Sequence, residues 1–283
     1  MPDLFLVPLL VIGGTIWTVG ISLAVVSAFF AGVWYGATRY TDRAERTGAR
    51  FWRCSRRLAL GRCLRWWYGY ERTGRLPSGP CIYAVSPHGM VTAATVLTFL
   101  VEDEQMDEAT ATAAIVTHKY MLSVPLVPRE LALWLGCVVA GTDVARELLV
   151  KQRRSLVVIP GGAHELLPTT GQEVLETHAW LLERVYERTW GDNVSLVPVW
   201  APDEHGVTWA WRCPWPWPIT IVLAWLQRHL EWPVLQTLFV WPRLPRATHR
   251  FRVRIGKPIH PRSYPTYDAF AQAYANALTD LRK

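Results

Sequence analysis

The sequence is poor in cysteine and in charge. Its 283 residues include five scattered cysteines, and no two of them have the spacing of a CxxC motif. An odd, scattered set argues against a disulfide scaffold and a structural zinc site, so we expect reduced thiols and no metal. Charged residues make up 19% of the chain and apolar residues 51%. This composition excludes disorder over most of the length.

Several catalytic signatures are also missing. The sequence has no GxSxG, no P-loop and no GxGxxG motif, which argues against an ordinary serine hydrolase and against enzymes with nucleotide-binding loops. His164-Glu165 is not followed by the second histidine of HExxH, so a zinc protease is unsupported.

The first apolar run predicts a membrane anchor. No charge occurs in residues 4–38, a stretch of 35 residues, whereas one spanning helix needs about 20. One tilted helix fits this length, and a hairpin has to be shallow or re-entrant. We therefore predict that residues 1–38 form a transmembrane or re-entrant helical segment and that the lipid bilayer is a partner.

The positive charge follows this run directly. The net charge is +7, yet residues 39–75 alone contain eleven arginines and three acids, so the remaining residues sum to −1. We interpret residues 39–80 as a basic juxtamembrane segment that fixes the topology from the cytosolic side. A coenzyme groove or a nucleic-acid groove is the alternative for this cluster. No nucleic-acid motif accompanies it, and we predict no nucleic-acid partner.

The remaining sequence alternates short apolar strands with helical segments. This order predicts an α/β domain over residues 81–283, with a mixed, mostly parallel sheet covered by helices. Residues 214–242 interrupt the pattern with five tryptophans, five prolines and two charges. We interpret them as an interfacial or lipid-facing lobe. A buried helix in a large core is the alternative.

The first candidate site is the tetrapeptide Ser86-Pro87-His88-Gly89. It follows the apolar strand predicted at 81–85 and precedes a helical segment, so it lies at the carboxyl end of a strand, where α/β proteins collect their sites. Pro87 fixes the turn, and Gly89 leaves room for a ligand near the backbone. His88 suits general-base removal of a hydroxyl proton. A turn histidine that only caps the helix is the alternative.

The second candidate site is residues 159–165, with the sequence Ile-Pro-Gly-Gly-Ala-His-Glu, which again follows an apolar strand. Gly161 and Gly162 offer backbone N–H groups for an oxyanion or for substrate positioning. Glu165 is a candidate to orient His88 or to hold an acceptor hydroxyl. A plain strand-to-helix turn is the alternative.

Four blocks occur in the order and context of one known family. They are residues 83–89, 158–165, 196–200 and 255–259. In these blocks the chain resembles the type-2 diacylglycerol acyltransferase family, which includes monoacylglycerol and wax-alcohol acyltransferases. The resemblance implies a glycerolipid acyltransferase-like core in an enzyme of the endoplasmic reticulum membrane with a cytosolic catalytic domain. It further implies that acyl-CoA is the co-substrate, with no bound cofactor; the oligomeric state stays open.

The first block of the resemblance contains the expected base. His88 matches the active-site histidine of the family's HPHG block, and Pro87 and Gly89 match its proline and glycine. Ser86 stands where animal members have a first histidine. The broader glycerolipid acyltransferases have an aspartate in an HxxxxD motif, and this chain has Ala93 at that position.

The later blocks supply the other matched residues. Gly161, Gly162 and Glu165 match the glycine pair and the glutamate of the family's second block, and residues 256–258 match its late G-[KE]-P block. Because no aspartate follows His88 at the HxxxxD spacing, Glu165 becomes the better candidate to orient that histidine.

The residues after Glu165 bear on the acceptor. Acyltransferases for phosphorylated glycerol tend to continue with Gly-Thr-Arg, whereas Leu166 and Leu167 follow here. An apolar floor disfavours a phosphate and favours a neutral lipid acceptor. Diacylglycerol is our first prediction; monoacylglycerol or a wax alcohol, a lysophospholipid, and a non-catalytic membrane scaffold are the alternatives.

The acyl donor carries phosphates, which calls for basic residues. The candidates to hold acyl-CoA are Arg129, Lys151, Arg153 and Arg154. A solvated basic surface is the alternative for these four residues.

Overall fold

The structure of the protein is a computed structural model, which describes more of the chain after residue 58 than before it. The described residues are 26, 27, 29, 32, 45–48, 59–87, 92–101, 104–117, 122, 127–161, 171–188, 194–206, 208–211, 239–242 and 250–283. Four predicted site residues lie outside them: His88, Gly89, Gly162 and Glu165.

Nine strands occur in the described part of the chain. They are β1 (Glu71–Thr73), β2 (Cys81–Ser86), β3 (Ala114–Thr117), β4 (Cys137–Val139), β5 (Leu156–Val158), β6 (Ser195–Trp200), β7 (Thr208–Trp211), β8 (Phe239–Pro242) and β9 (Arg252–Ile255). Seven form one sheet in the order β1-β9-β6-β2-β5-β3-β4, and β7 and β8 form a separate antiparallel pair. Strands β2 to β6 run parallel, β9 is antiparallel to β6, and β1 is parallel to β9. The predicted mixed, mostly parallel sheet is confirmed.

Helices connect these strands. The described α-helices are α1 (Ala59–Trp67), α2 (Ala93–Phe99), α3 (Glu108–Ala111), α4 (Val127–Trp134), α5 (Thr142–Arg146), α6 (Gly171–Glu187) and α7 (Tyr267–Arg282). A π-helical turn, Glu147–Lys151, continues α5, and short 3-10 turns occur at Glu204–Gly206 and Pro261–Ser263.

The core lies on both faces of the sheet. Every residue of β2 is buried, and its side chains alternate between two apolar clusters. Ile82 packs in the cluster that holds Phe270 and Tyr274 of α7, and Tyr83 packs in the cluster that holds Phe99 of α2. A strand buried on both faces needs a continuous apolar sequence, which is why the run at 81–85 predicted a strand.

The sheet begins before the predicted catalytic domain. β1 pairs with β9 at the sheet edge, and α1 packs against α2. The Arg65 guanidinium of α1 donates to the carbonyls of Leu97 at 2.7 Å and Val101 at 2.9 Å. The boundary that we predicted between residues 80 and 81 therefore falls inside this sheet, after an edge strand and a packed helix.

The predicted membrane parts are described only at a few positions. In the 1–38 segment, Val26, Ser27, Phe29 and Gly32 are helical. Within the described residues, no helix has both the length and the apolar character that crossing a bilayer requires. In the 214–242 lobe, only β8 is described. The membrane segment and the lipid-facing lobe therefore stay predictions.

Candidate active site

The two predicted motifs begin side by side in the sheet. β2 and β5 are parallel neighbours, with Ala84 opposite Val158. Pro87 follows the end of β2 at once, and Pro160 follows β5 after one residue. Because parallel neighbours end at the same edge and lie about 4.8 Å apart, both motifs start from adjacent points. His88 and Glu165 themselves lie outside the described residues, so their pairing stays a prediction.

The third block of the resemblance lies on the other side of β2. β6 pairs with β2 in parallel over six positions, from Cys81 opposite Ser195 to Ser86 opposite Trp200. Just past the end of β6, the N–H of Ala201 donates to the carbonyl of Ser86 at 3.0 Å. The strands of three of the four blocks therefore end at one edge of the sheet.

The chain between β2 and α2 has an unusual backbone at its end. Pro87 is buried. Thr92, the last residue before α2, has φ 47° and ψ 50°, a left-handed conformation that β-branched residues rarely adopt. Such a conformation costs about 1–3 kcal/mol and persists only where surrounding contacts hold it. The start of α2 must therefore be held by other parts of the protein.

Glu204 provides that contact. Its side chain is buried, at 1% exposure. Oε1 accepts the N–H of Ala93 at 2.5 Å, and Oε2 accepts the N–H of Ala94 at 2.7 Å. The carboxylate thereby satisfies two N–H groups that lack partners within the helix, at the end where the helix dipole is positive. Glu204 is not among the residues that the sequence predicts for the site, because no local pattern relates it to α2.

Trp180 of α6 holds the turn after β5. Its indole N–H donates to the carbonyl of Pro160 at 2.9 Å, and the neighbouring Gly161 is buried. The Arg184 guanidinium lies 5.8 Å from the centroid of the Trp180 ring. The first residues of the second motif are thus attached to a helix as well as to the sheet.

Two of the four basic candidates are engaged with carboxylates. The Arg129 guanidinium is buried, and it donates to Glu45 Oε1 from Nη2 at 2.7 Å and from Nε at 3.1 Å. Its Nη1 lies 3.4 Å from Glu130 Oε1. Lys151 is exposed and pairs with Glu147 at 2.7 Å. The carboxylates compensate both cations, and contact of either with acyl-CoA stays a prediction.

The other two basic candidates lie at the opposite edge of the sheet. Arg153 and Arg154 precede β5, and both line a cavity of about 650 Å³. Arg154 Nε donates to the carbonyl of Thr112 at 2.7 Å, and burial lowers the pKa of Arg154 to about 10. Six residues of extended chain from Arg154 to Pro160 span about 20 Å. These two arginines therefore lie at some distance from the two motifs. Their contact with acyl-CoA stays a prediction.

The fourth block, residues 255–259, also leads away from the edge of the sheet where β2 and β5 end. β9 runs antiparallel to β6, so the residues after β9 pass along the amino-terminal half of β6. The N–H of Gly256 donates to the carbonyl of Pro198 at 2.8 Å. A Cβ at position 256 would lie 2.7 Å from Pro198 Cγ. The glycine of this block therefore permits close packing of β9 against β6.

The described residues contain no candidate site for cysteine or metal chemistry. In these ranges no three His, Cys, Asp or Glu side chains are grouped so as to hold a metal ion. Cys63, Cys81 and Cys137 form no disulfide. Burial, with a smaller contribution from Asp107, raises the pKa of the Cys81 thiol to about 12. Cys81 is therefore a packing residue and not a nucleophile.

The fold of this chain has a likeness among solved structures. No protein-family model matches the sequence, and no curated protein matches it. The chain is similar to the crystal structure of the 1-acyl-sn-glycerophosphate (LPA) acyltransferase PlsC from Thermotoga maritima. The identity is 14%, 78% of this chain and 75% of that chain are covered, and the TM-score is 0.41.

Proposed function

We propose that the protein is a membrane-bound O-acyltransferase that transfers a fatty acyl group from acyl-CoA to the hydroxyl of a neutral lipid. The acceptor is diacylglycerol, and the product is triacylglycerol. One observation carries this proposal: the four sequence blocks, far apart along the chain, belong to four consecutive strands of the sheet, β9-β6-β2-β5. The strands of three of these blocks, β2, β5 and β6, end at one edge of the sheet, the kind of place where α/β proteins collect their sites.

The mechanism uses His88 as the general base. His88 takes the proton from the acceptor hydroxyl while the oxygen attacks the thioester carbonyl. Backbone N–H groups near Gly89 or near Gly161 and Gly162 stabilise the oxyanion that forms. The carbon–sulfur bond then breaks, the new ester forms, and the coenzyme A sulfur receives the proton from His88. Glu165 orients His88 or holds the acceptor.

The acceptor is proposed from the residues that follow Glu165. Leu166 and Leu167 place no cation after it, and a phosphate left without a cation in an apolar pocket is costly. A neutral glyceride avoids this cost. A lysophospholipid acceptor is the main competing possibility within the same reaction class.

The proposed partner is the membrane of the endoplasmic reticulum, with the catalytic domain in the cytosol. Helix α1 supports the membrane contact. Trp66 is 80% exposed and Trp67 is 54% exposed, and Arg62 is exposed on the same helix. Exposed tryptophan next to arginine is typical of helices that lie in the interface of an anionic membrane. The apolar run at residues 4–38 precedes this helix.

The test is expression of the full chain in yeast that makes no neutral lipid. Membranes receive labelled acyl-CoA with diacylglycerol, monoacylglycerol, a fatty alcohol or lysophosphatidic acid, and the products are separated by thin-layer chromatography. We expect triacylglycerol from the wild type and about 10²–10⁴-fold less from His88→Ala at equal protein level. His260→Ala is the matched control, because His260 contacts Ser195 at the amino end of β6, and it should keep its activity.

Three results would contradict the proposal. Acylation of lysophosphatidic acid in preference to diacylglycerol would identify a phospholipid enzyme. Absence of thioester consumption by the wild type would favour a membrane scaffold. Activity of His88→Ala close to that of the wild type would remove the assigned base.

A further inference from the structure

The segment after β6 contacts both ends of the loop that contains His88. We call residues 87–92 the His88 loop. Before the loop, Ser86 accepts the N–H of Ala201 at 3.0 Å. After the loop, Glu204 accepts the N–H groups of Ala93 and Ala94 at 2.5 and 2.7 Å. Four consecutive residues, 201–204, therefore hold a loop that lies more than 100 positions earlier in the chain.

This segment is itself firmly attached. The N–H of Glu204 donates to the carbonyl of Ala201 at 3.2 Å, which closes a tight turn. The Asp203 carboxylate binds Arg252 of β9 through three contacts: Nε to Oδ2 at 2.9 Å, Nη2 to Oδ1 at 3.0 Å, and the backbone N–H to Oδ2 at 3.0 Å. Two strands of the sheet thus fix the position from which Glu204 reaches α2.

The contact requires both oxygens of Glu204. Each oxygen accepts one backbone N–H, and both groups lie in the first turn of α2. A glutamine at this position supplies one carbonyl oxygen, and its NH₂ group then faces an N–H donor. Position 93 is an alanine, so its own side chain offers no carboxylate here. A buried donor left without an acceptor is costly, and the strained Thr92 lies directly before the helix.

We propose that Glu204 is a positioning residue for His88: it fixes the end of the His88 loop and thereby the place of the imidazole relative to the reacting hydroxyl. This inference rests on the proposed function, in which His88 is the base. The inference goes beyond the proposed function, because it assigns control of the loop geometry to a buried carboxylate after β6. Catalysis is sensitive to such placement, because a shift of about 1 Å can cost about 10²-fold in rate.

The test compares Glu204→Gln with Asp107→Asn in the full-length protein. Asp107 is the matched control, because its two carboxylate oxygens also accept two backbone N–H groups, those of Gly79 and Thr110 at 2.5 and 2.9 Å, but ahead of β2 and away from the His88 loop. We expect Glu204→Gln to lower kcat by about 10–100-fold, while its KM for acyl-CoA stays within about threefold of the wild type. Asp107→Asn should keep kcat within about threefold, although it loses one acceptor oxygen in the same way.

A second readout is the double variant His88→Ala/Glu204→Gln. If Glu204 acts through His88, the second change has little further effect once His88 is absent, and the losses are not additive. Should Glu204→Gln fail to accumulate, Glu204→Asp replaces it. That variant keeps both acceptor oxygens on a shorter side chain, and we expect the same selective loss of kcat.

The outcomes separate the two proposals. Equal loss of kcat in Glu204→Gln and Asp107→Asn, in step with lower thermal stability, would show a structural role only and overturn the inference. Normal kcat in Glu204→Gln would overturn it as well, while an inactive His88→Ala would leave the proposed function standing. An active His88→Ala would instead contradict the proposed function.

Discussion

Replacing Gly256 by alanine should destabilise the sheet without affecting the reaction. An added Cβ would lie 2.7 Å from Pro198 Cγ, 3.0 Å from Pro198 O and 3.2 Å from Leu281 Cδ1. The leucine can rotate away, but the proline is rigid and its strand pairs with Ala84 of β2. β9 must therefore move away from β6.

The expected size follows from these contacts. Overpacking of this kind costs about 1–3 kcal/mol in the free energy of unfolding. For a chain of this size, each kcal/mol lowers the melting midpoint by about 2–4 °C. Gly141→Ala is the matched control, since its nearest neighbour would be Val144 Cγ2 at 3.5 Å and its φ is −173°. We expect less than about 1 kcal/mol there, from the loss of a glycine N-cap.

The assay combines thermal unfolding with turnover per folded protein. Because Gly256 lies away from the edge where β2 and β5 end, we expect kcat of Gly256→Ala to stay within about threefold of the wild type. A variant of normal stability that loses turnover more than tenfold would refute this reasoning. Gly256 would then serve the reaction and not the packing of β9 on β6.

Four other outcomes are expected. Trp225→Glu with Trp232→Glu should impair long-chain acceptors more than a short, water-soluble analogue, because lipid partitioning is penalised; equal loss with protein degradation would favour a buried core. A maleimide at pH 8 should label the exposed Cys63 and spare Cys81, whose burial raises its pKa from 9.0 to about 12; peptide mapping decides. Because the pKa of Cys81 is raised in the folded protein, the stability that its neutral thiol contributes is complete below pH 9.0 and is lost as the pH rises through about 12. This pH dependence of stability should vanish in Cys81→Ala. A C-terminal glycosylation tag should stay unmodified, because acyl-CoA is cytosolic, and efficient glycosylation would overturn the proposed topology.

The apolar pattern of the sequence predicted the sheet well and its edge poorly. β2 and β6 are continuous apolar runs because helices cover both of their faces, and α7 has its apolar residues at helical spacing. β1 has the sequence Glu-Arg-Thr and no such pattern. It is a strand because β9, about 180 positions later, pairs with it. A local pattern contains no information on such a partner.

The same reason explains what the sequence missed at the site. The two motifs that follow β2 and β5 can be recognised in the sequence from their glycine, proline and histidine residues. Glu204 and Trp180 cannot be recognised in this way, because each contacts its partner only after the strands have assembled. Arg129 was predicted as a cation for phosphate, since charge patterning shows the arginine but not Glu45, which neutralises it from 84 positions away.

The central place of β2 gives the strongest physical reason to assign the base to His88. β2 pairs with β6 over six positions and with β5 over three, so the chain leaves its end from a fixed point. Catalytic groups must be held within about 0.5 Å, which favours sites on rigid elements with supporting contacts. Glu204 after β6 provides such a contact at the start of α2, and Trp180 provides one for the neighbouring turn after β5. A role for His88 as the cap of α2 is the poorer explanation, because Glu204 already caps this helix.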